Sequence, residues 1–251
     1  MLKVLGSVLE GVPKMTKDGF LPRYRYPDII IRFAVLLNLF LSSRNVAVLI
    51  FALFRAKVSH KTVCDWSNKF NTFKDDKKFD YSSVKHLIFH VDEKFVKVAG
   101  ERAYWWSVKD FLGEVIHTMV TKSRDLVSAK KVFKETRAKI NRDVDLLARD
   151  GCFSYERAAK YLGRKCKSVI TGINGKGIIH KKYFYWLTNN PAESLNSEID
   201  AYYSRFQRNF RNLDSANKFA QNFLLQKRLR RSFNEMKLSE TSSTLLKAIT
   251  I

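Results

Sequence analysis

Leu87-Ile88-Phe89-His90-Val91-Asp92 alternates as a strand does, with Leu87, Phe89 and Val91 on one face and His90 and Asp92 on the other. The pattern runs on to about Val98, so Asp92 falls inside the strand, where a charge is costly unless it is paired or binds metal. Downstream, Gly100-Glu101-Arg102 reads as a turn and Ala103 to Lys109, with Tyr104, Trp105 and Trp106, as an aromatic strand. Asp110-Phe111-Leu112-Gly113 is a hairpin loop, and Glu114 to Thr121 returns as a third strand. Ser123 to Ile140 has the spacing of an amphipathic helix that turns Leu126, Ala129, Val132 and Phe133 inward. Val144 to Ala148 is a fourth strand, stopping at Arg149-Asp150-Gly151. Ser154 then caps a helix to Leu162, and Lys167 to Thr171 is a fifth strand.

Three meandering strands followed by helix, strand, helix, strand and a final helix give an α/β order. It predicts a ribonuclease-H-like mixed sheet, in which an antiparallel hairpin extends parallel strands. Asp92 then stands mid-sheet, and Asp150 follows a strand at its carboxyl end, where α/β sheets place their ligands. Glu193 lies just inside a helix start, Asn189-Asn190-Pro191-Ala192-Glu193. Carboxylates at the ends of three separate elements can converge and hold divalent cations, Mg²⁺ or Mn²⁺, with two ions expected. Each has a plainer reading. Asp92 can pair with Lys94 or an arginine, Asp150-Gly151 can be a turn, and Glu193 fits the N3 position of a capping box. Glu93 and Glu101 are weaker candidates, Glu93 because it projects to the strand face opposite Asp92.

The chain of 251 residues carries 46 Lys plus Arg against 24 Asp plus Glu, a formal net charge of +22. Such a surplus calls for a polyanion, either nucleic acid or an anionic membrane surface. Cys64, Cys152 and Cys166 form no C-x-x-C pair, which supports neither a zinc knuckle nor a disulfide framework. The most apolar stretch, Ile29 to Phe54, is broken by Arg32 and Arg44 and falls short of the ~20 apolar residues of a membrane span. A soluble, cytoplasmic, DNA-associated chain without a membrane partner is expected.

Ahead of the sheet the pattern is helical. Asp28 starts a helix through Leu41, Ser42 or Ser43 caps a second through about Phe54, and Ser59 caps a third, His60 to Phe70. The last two fit a helix-turn-helix, with His60, Lys61 and Thr62 at the end that meets base edges and Val63 and Trp66 inward. A plain three-helix core accounts for the same pattern. Beyond Ala201 the chain is helical and basic: Arg205, Arg208, Arg211, Lys218, Lys227, Arg228, Arg230 and Arg231 alternate with Phe206, Phe210, Phe219 and Phe223. The phenylalanines read as core and the arginines as a DNA-facing side. The expected organisation is a helix-turn-helix region over 1–75, the α/β domain over 80–232 and a tail over 233–251.

Three blocks, His90-Val91-Asp92-Glu93-Lys94, Arg149-Asp150-Gly151 with Tyr155 close behind, and Asn189 to Asn196 around Glu193, resemble the catalytic blocks of insertion-sequence DDE transposases. The aromatic strand before Asp110, the basic Phe206 to Arg211 and the preceding helices fit the same likeness, which is to the short, replicative, cointegrate-forming type. The resemblance implies a retroviral-integrase-type ribonuclease-H domain with Asp92, Asp150 and Glu193 as the metal-binding catalytic triad. It implies double-stranded DNA as substrate, both the element's terminal inverted repeats and a target duplex, and action as a homodimer or higher oligomer. One position departs from it: many relatives carry Lys or Arg seven residues after the catalytic Glu, and here Asp200 stands there. Arg205 or Arg208 is the expected substitute. Two other readings share the sequence features: a structure-selective nuclease or resolvase of the same fold, and a non-catalytic helix-turn-helix DNA-binding protein.

Overall fold

Strand β1 (Ile88–Val98) lies at the centre of a five-stranded sheet of order β3-β2-β1-β4-β5 in the computed structural model of the chain. The structure describes residues 25–70, 77–171, 178–180, 185–187, 190–206 and 210–249; the side chains at 153, 178–180, 185–187, 190–193, 205–206, 233 and 235–249 lie outside that description. By contacts the chain divides into two compact units, Asp75–Leu224 and Met1–Lys74 with Leu225–Ile251.

In the first unit β2 (Glu101–Asp110) and β3 (Val115–Thr121) extend β1 as antiparallel neighbours, whereas β4 (Leu146–Arg149) and β5 (Lys167–Ile170) run parallel to it. The helices are α4 (Leu126–Arg137), α5 (Phe153–Ala158), α6 (Asn190–Phe206) and the beginning of α7 (Leu213–Ile249), which from Leu225 on belongs to the other unit. Period-two alternation feeds two cores. Leu87, Phe89 and Val91 pack with Ala129, Val132 and Phe133 of α4 and with Tyr155 and Ala158 of α5. Val96 and Val98 pack on the other side with Leu195 and Ile199 of α6 and Phe219 and Phe223 of α7. Trp105 and Trp106, being consecutive on β2, point to opposite cores. Both are fully buried, and each indole N–H is satisfied across the hairpin, Trp105 donating to Thr118 Oγ1 at 2.5 Å and Trp106 to Thr121 Oγ1 at 2.7 Å. A sheet covered on both sides explains why β1 begins with four buried residues in succession rather than with clean alternation.

The second unit holds α1 (Asp28–Leu37), α2 (Ser43–Phe54) and α3 (His60–Phe70). Ser42 caps α2 by accepting from Asn45 N at 3.3 Å, and Ser59 Oγ accepts from Thr62 N at 3.0 Å at the start of α3. Val63, Trp66 and Phe70 form the buried stripe of α3, against Ile31, Ala34 and Val35 of α1 and Val46 and Ile50 of α2. Arg55, with φ 53°, ends α2 in a left-handed turn.

Several boundaries differ from the sequence reading. Helix α1 stops at Leu37, not Leu41, and Leu39 beyond it is buried with Leu225 and Leu229. The first hairpin turn is Ala99-Gly100, with φ 53° and 84°, so Glu101 and Arg102 already belong to β2; two positive φ values are what a two-residue hairpin requires. Helix α4 begins after Asp125, whose carboxylate accepts from Ser128 N at 2.8 Å, and Leu126 at its start is exposed, not turned inward as Ala129, Val132 and Phe133 are. Helix α5 begins at Phe153, after Cys152 rather than Ser154, and gives way to a 3₁₀ turn at Ala159. A short hairpin, β6 (Ile178–His180) with β7 (Tyr185–Leu187), lies between β5 and α6, where the sequence reading assigned no strand. Arg228 is buried, not DNA-facing, because it follows Leu224 and Leu225 by one helical turn on the apolar side of α7. Phe210, Phe219 and Phe223 are core residues.

Candidate metal centre

Register brings two of the expected carboxylates together. Ile88 pairs with Leu146 and His90 with Ala148, and the same offset carried two residues further sets Asp92 beside Asp150, just past the end of β4. Asp92, Glu93 and Asp150 each offer an oxygen, and these oxygens lie within 4.8 Å of one another. Among the described residues this is the group of acidic side chains arranged to hold a metal ion.

Each carboxylate is held differently. Asp92 accepts from the Glu93 backbone N–H through Oδ1 at 2.9 Å and from Asn196 Nδ2 of α6 through Oδ2 at 2.8 Å. Asp150 accepts from Cys152 N at 3.0 Å, an Asx turn that fixes it at the strand end. The buried Arg149 beneath it donates to the Asp150 and Cys152 carbonyls at 2.8 and 3.1 Å and to Ser168 Oγ. Glu93 Oε1 accepts from Arg124 Nη1 at 3.1 Å. Burial pushes the Glu93 carboxyl up to about 7, with the Asp150 and Asp92 charges adding to the rise and Arg124 opposing it.

Glu93 corrects the sequence reading. The parity argument holds, since Glu93 does leave β1 on the side of Arg124 and Asp92 on the side of α6. It did not exclude proximity, because β4 ends at Arg149 and Asp150 sits beyond it, within reach of both faces. No local sequence pattern announces that. Three carboxylate oxygens so close, one of them buried, suit a hard divalent cation and are unfavourable without positive charge.

Glu193 lies in the first turn of α6, and its side chain is outside the described ones, as is that of Arg205; Arg208 lies wholly outside the described residues. Asp200, where the resemblance leads one to expect a base, makes an ion pair with Lys94 at 2.5 Å. Arg211 is exposed and, with Arg102, Lys122, Glu101 and Asp214, lines an open cavity of about 380 Å³. His60 and Lys61 are exposed in the first turn of α3, and Thr62 is half-buried, its hydroxyl 2.8 Å from Ser59 Oγ. Among the described residues no helix is long and apolar enough to cross a membrane.

The family model DDE_Tnp_IS240, described as a DDE domain, matches residues 86–232. The chain therefore belongs to that family of insertion-sequence DDE transposases, and its mixed sheet, of ribonuclease-H-like order, lies within the matched segment. Its family places it in DNA transposition and recombination. Among solved structures, a similar chain occurs in the cryo-EM structure of a simian T-cell lymphotropic virus intasome in complex with PP2A regulatory subunit B56 gamma. That chain is 12% identical, with 73% of this chain and 67% of that one covered, at a TM-score of 0.38. No curated protein matches the sequence.

Proposed function

We propose that this protein is a divalent-metal-dependent DNA transposase that cleaves the ends of its own element and transfers the resulting 3′ ends into a target duplex. The observation that carries the reading is the meeting of Asp92 and Asp150 in one acidic cluster at the carboxyl end of β4, in a chain whose family is that of DDE transposases. Asp92, Asp150 and Glu193 are the catalytic, metal-binding residues. The placement of Glu193 is supported by helix periodicity: it stands three residues before Asn196, whose side chain reaches Asp92, and seven before Asp200, whose side chain reaches Lys94.

A cation bound by these carboxylates supplies Lewis acidity to the scissile phosphate and lowers the pKa of the attacking hydroxyl. The chain's own part is orientation. Asn196 fixes the Asp92 carboxylate without cancelling its charge, the Cys152 N–H fixes Asp150, and Arg149 braces the loop that carries it. Water attacking phosphorus displaces a 3′-oxygen and leaves a nick. The freed 3′-hydroxyl then attacks a second phosphodiester, so one P–O bond forms for each that breaks. Mg²⁺ or Mn²⁺, two ions together, fits oxygen donors of this kind. Residues 1–75 recognise the terminal repeats through His60, Lys61 and Thr62, while Arg205, Arg208 and Arg211 contact phosphates. The active species is a homodimer or higher oligomer on DNA.

The test is cleavage of a labelled duplex carrying a candidate element end. With Mg²⁺, the wild-type protein yields a nick and then joined product, whereas Asp92→Asn binds the duplex with near-wild-type affinity and cuts at least about a hundredfold more slowly. Parallel loss of binding and cutting would make Asp92 a structural residue.

A further inference from the structure

Of the oxygens gathered at the acidic cluster, one is buried and has no hydrogen-bond donor. Both Asp92 oxygens accept hydrogen bonds, and Asp150 Oδ1 takes the Cys152 N–H. Glu93 is anchored through Oε1 by Arg124, yet Oε2 is buried with no hydrogen-bond partner, on a side chain only 3% exposed. A buried carboxylate oxygen is seldom left so, because its desolvation goes uncompensated. The nearest acidic neighbours, Asp92 and Asp150, add charge repulsion rather than a donor.

We infer that Glu93 is an additional ligand of the divalent cation, giving Oε2 to the ion that Asp92 and Asp150 hold. This rests on the metal-centre reading above and deepens it: the ion is gripped from both faces of β1, Asp92 from the side of α6 and Glu93 from the side of Arg124. The distances allow it. Ligand oxygens around an octahedral Mg²⁺, with bonds of about 2.1 Å, stand about 3.0 Å apart when adjacent and about 4.2 Å apart when opposite, so oxygens within 4.8 Å of one another need to close by less than about 2 Å. Arg124, reaching in from the segment between β3 and α4, acts as a positioning residue: by occupying Oε1 it leaves Oε2 aimed at the other two carboxylates. Glu93 then binds through a buried oxygen that has no competing donor to surrender.

Two measurements on the full chain test this. In a calorimetric Mn²⁺ titration, Glu93→Gln, checked for an unchanged fold by circular dichroism, binds the first Mn²⁺ about tenfold more weakly than wild type, and Asp92→Asn loses that binding. Wild-type affinity in Glu93→Gln alongside loss in Asp92→Asn overturns the role of Glu93 and spares the metal centre. Wild-type affinity in Asp92→Asn overturns the metal centre itself. Independently of any variant, anomalous scattering from wild-type crystals soaked in Mn²⁺ is expected to show a peak in bonding contact with Glu93 Oε2, Asp92 and Asp150. A peak on the two aspartates alone, or none, refutes the inference.

Discussion

The two faces of β1 treat neighbouring carboxylates in opposite ways. On one face Asp92 meets a neutral amide, Asn196, and Lys94 two residues on meets Asp200, so strand and helix α6 are laced together at two points. On the other, Glu93 meets a guanidinium, Arg124, and its second oxygen meets nothing. A neutral donor orients a carboxylate and leaves its full charge for a cation. A guanidinium orients it while offsetting some of that charge, which is tolerable where two further carboxylates stand close by. The comparison separates what aligns the site from what charges it.

The sharpest way to break it is Asn196→Asp. This keeps the size of the side chain and replaces the amide donor with a second carboxylate facing Asp92. Cleavage is expected to fall about a hundredfold, with Asn196→Ala nearer tenfold, while DNA binding holds; equal rates for the two variants would show that the amide matters only as packing. Next comes the pH dependence of Glu93. Its carboxyl is raised from 4.5 to about 7 in the folded protein, so folding favours the protonated form. In chelator-treated protein the stability this confers is complete below about pH 4.5 and declines as pH rises towards 7. Glu93→Gln, neutral throughout, is expected to lack that decline in urea melts across the same range, and an identical pH profile in both proteins would contradict the assignment. The smallest effect belongs to Lys94 and Asp200. Asp200 is more than half exposed, so a double-mutant cycle with alanine at both positions should give a coupling of at most about 1 kcal/mol, fading as salt is added. A salt-independent coupling would mean that the pair does more than lace strand to helix.

Much of the fold was legible because its signals are local. Period-two alternation located β1, and Ser42 and Ser59 announced α2 and α3 through caps that the structure retains. Asp92 and Asp150 were legible for a similar reason: a charge inside an apolar strand and an Asp-Gly at a strand end are both visible in a window of a few residues. What stayed hidden depends on distant partners. Glu93 was ranked a weaker candidate on strand parity, which is a local rule, whereas its closeness to Asp150 follows from where β4 ends. Arg228 looked solvated by composition, but its burial is set by the apolar side of α7. Helix α4 was drawn too long because Ser123 and Asp125 are both good caps, and only the fold shows that Asp125 takes the role while the Ser123 carbonyl accepts from Thr121 Oγ1. The β6–β7 hairpin has strands of three residues, too brief for alternation to register.

The parallel pairing of β1 with β4 has a consequence for the newly made polypeptide. Neighbours that run in the same direction cannot be joined by a tight hairpin, so Asp150 reaches Asp92 only after β2, β3 and α4 have been synthesised and folded across. A ribosome-bound fragment that stops short of β4 carries Asp92 with no second aspartate to share an ion. On the proposed reading such an intermediate cannot assemble the ion site, which arrives late, as a property of the finished sheet.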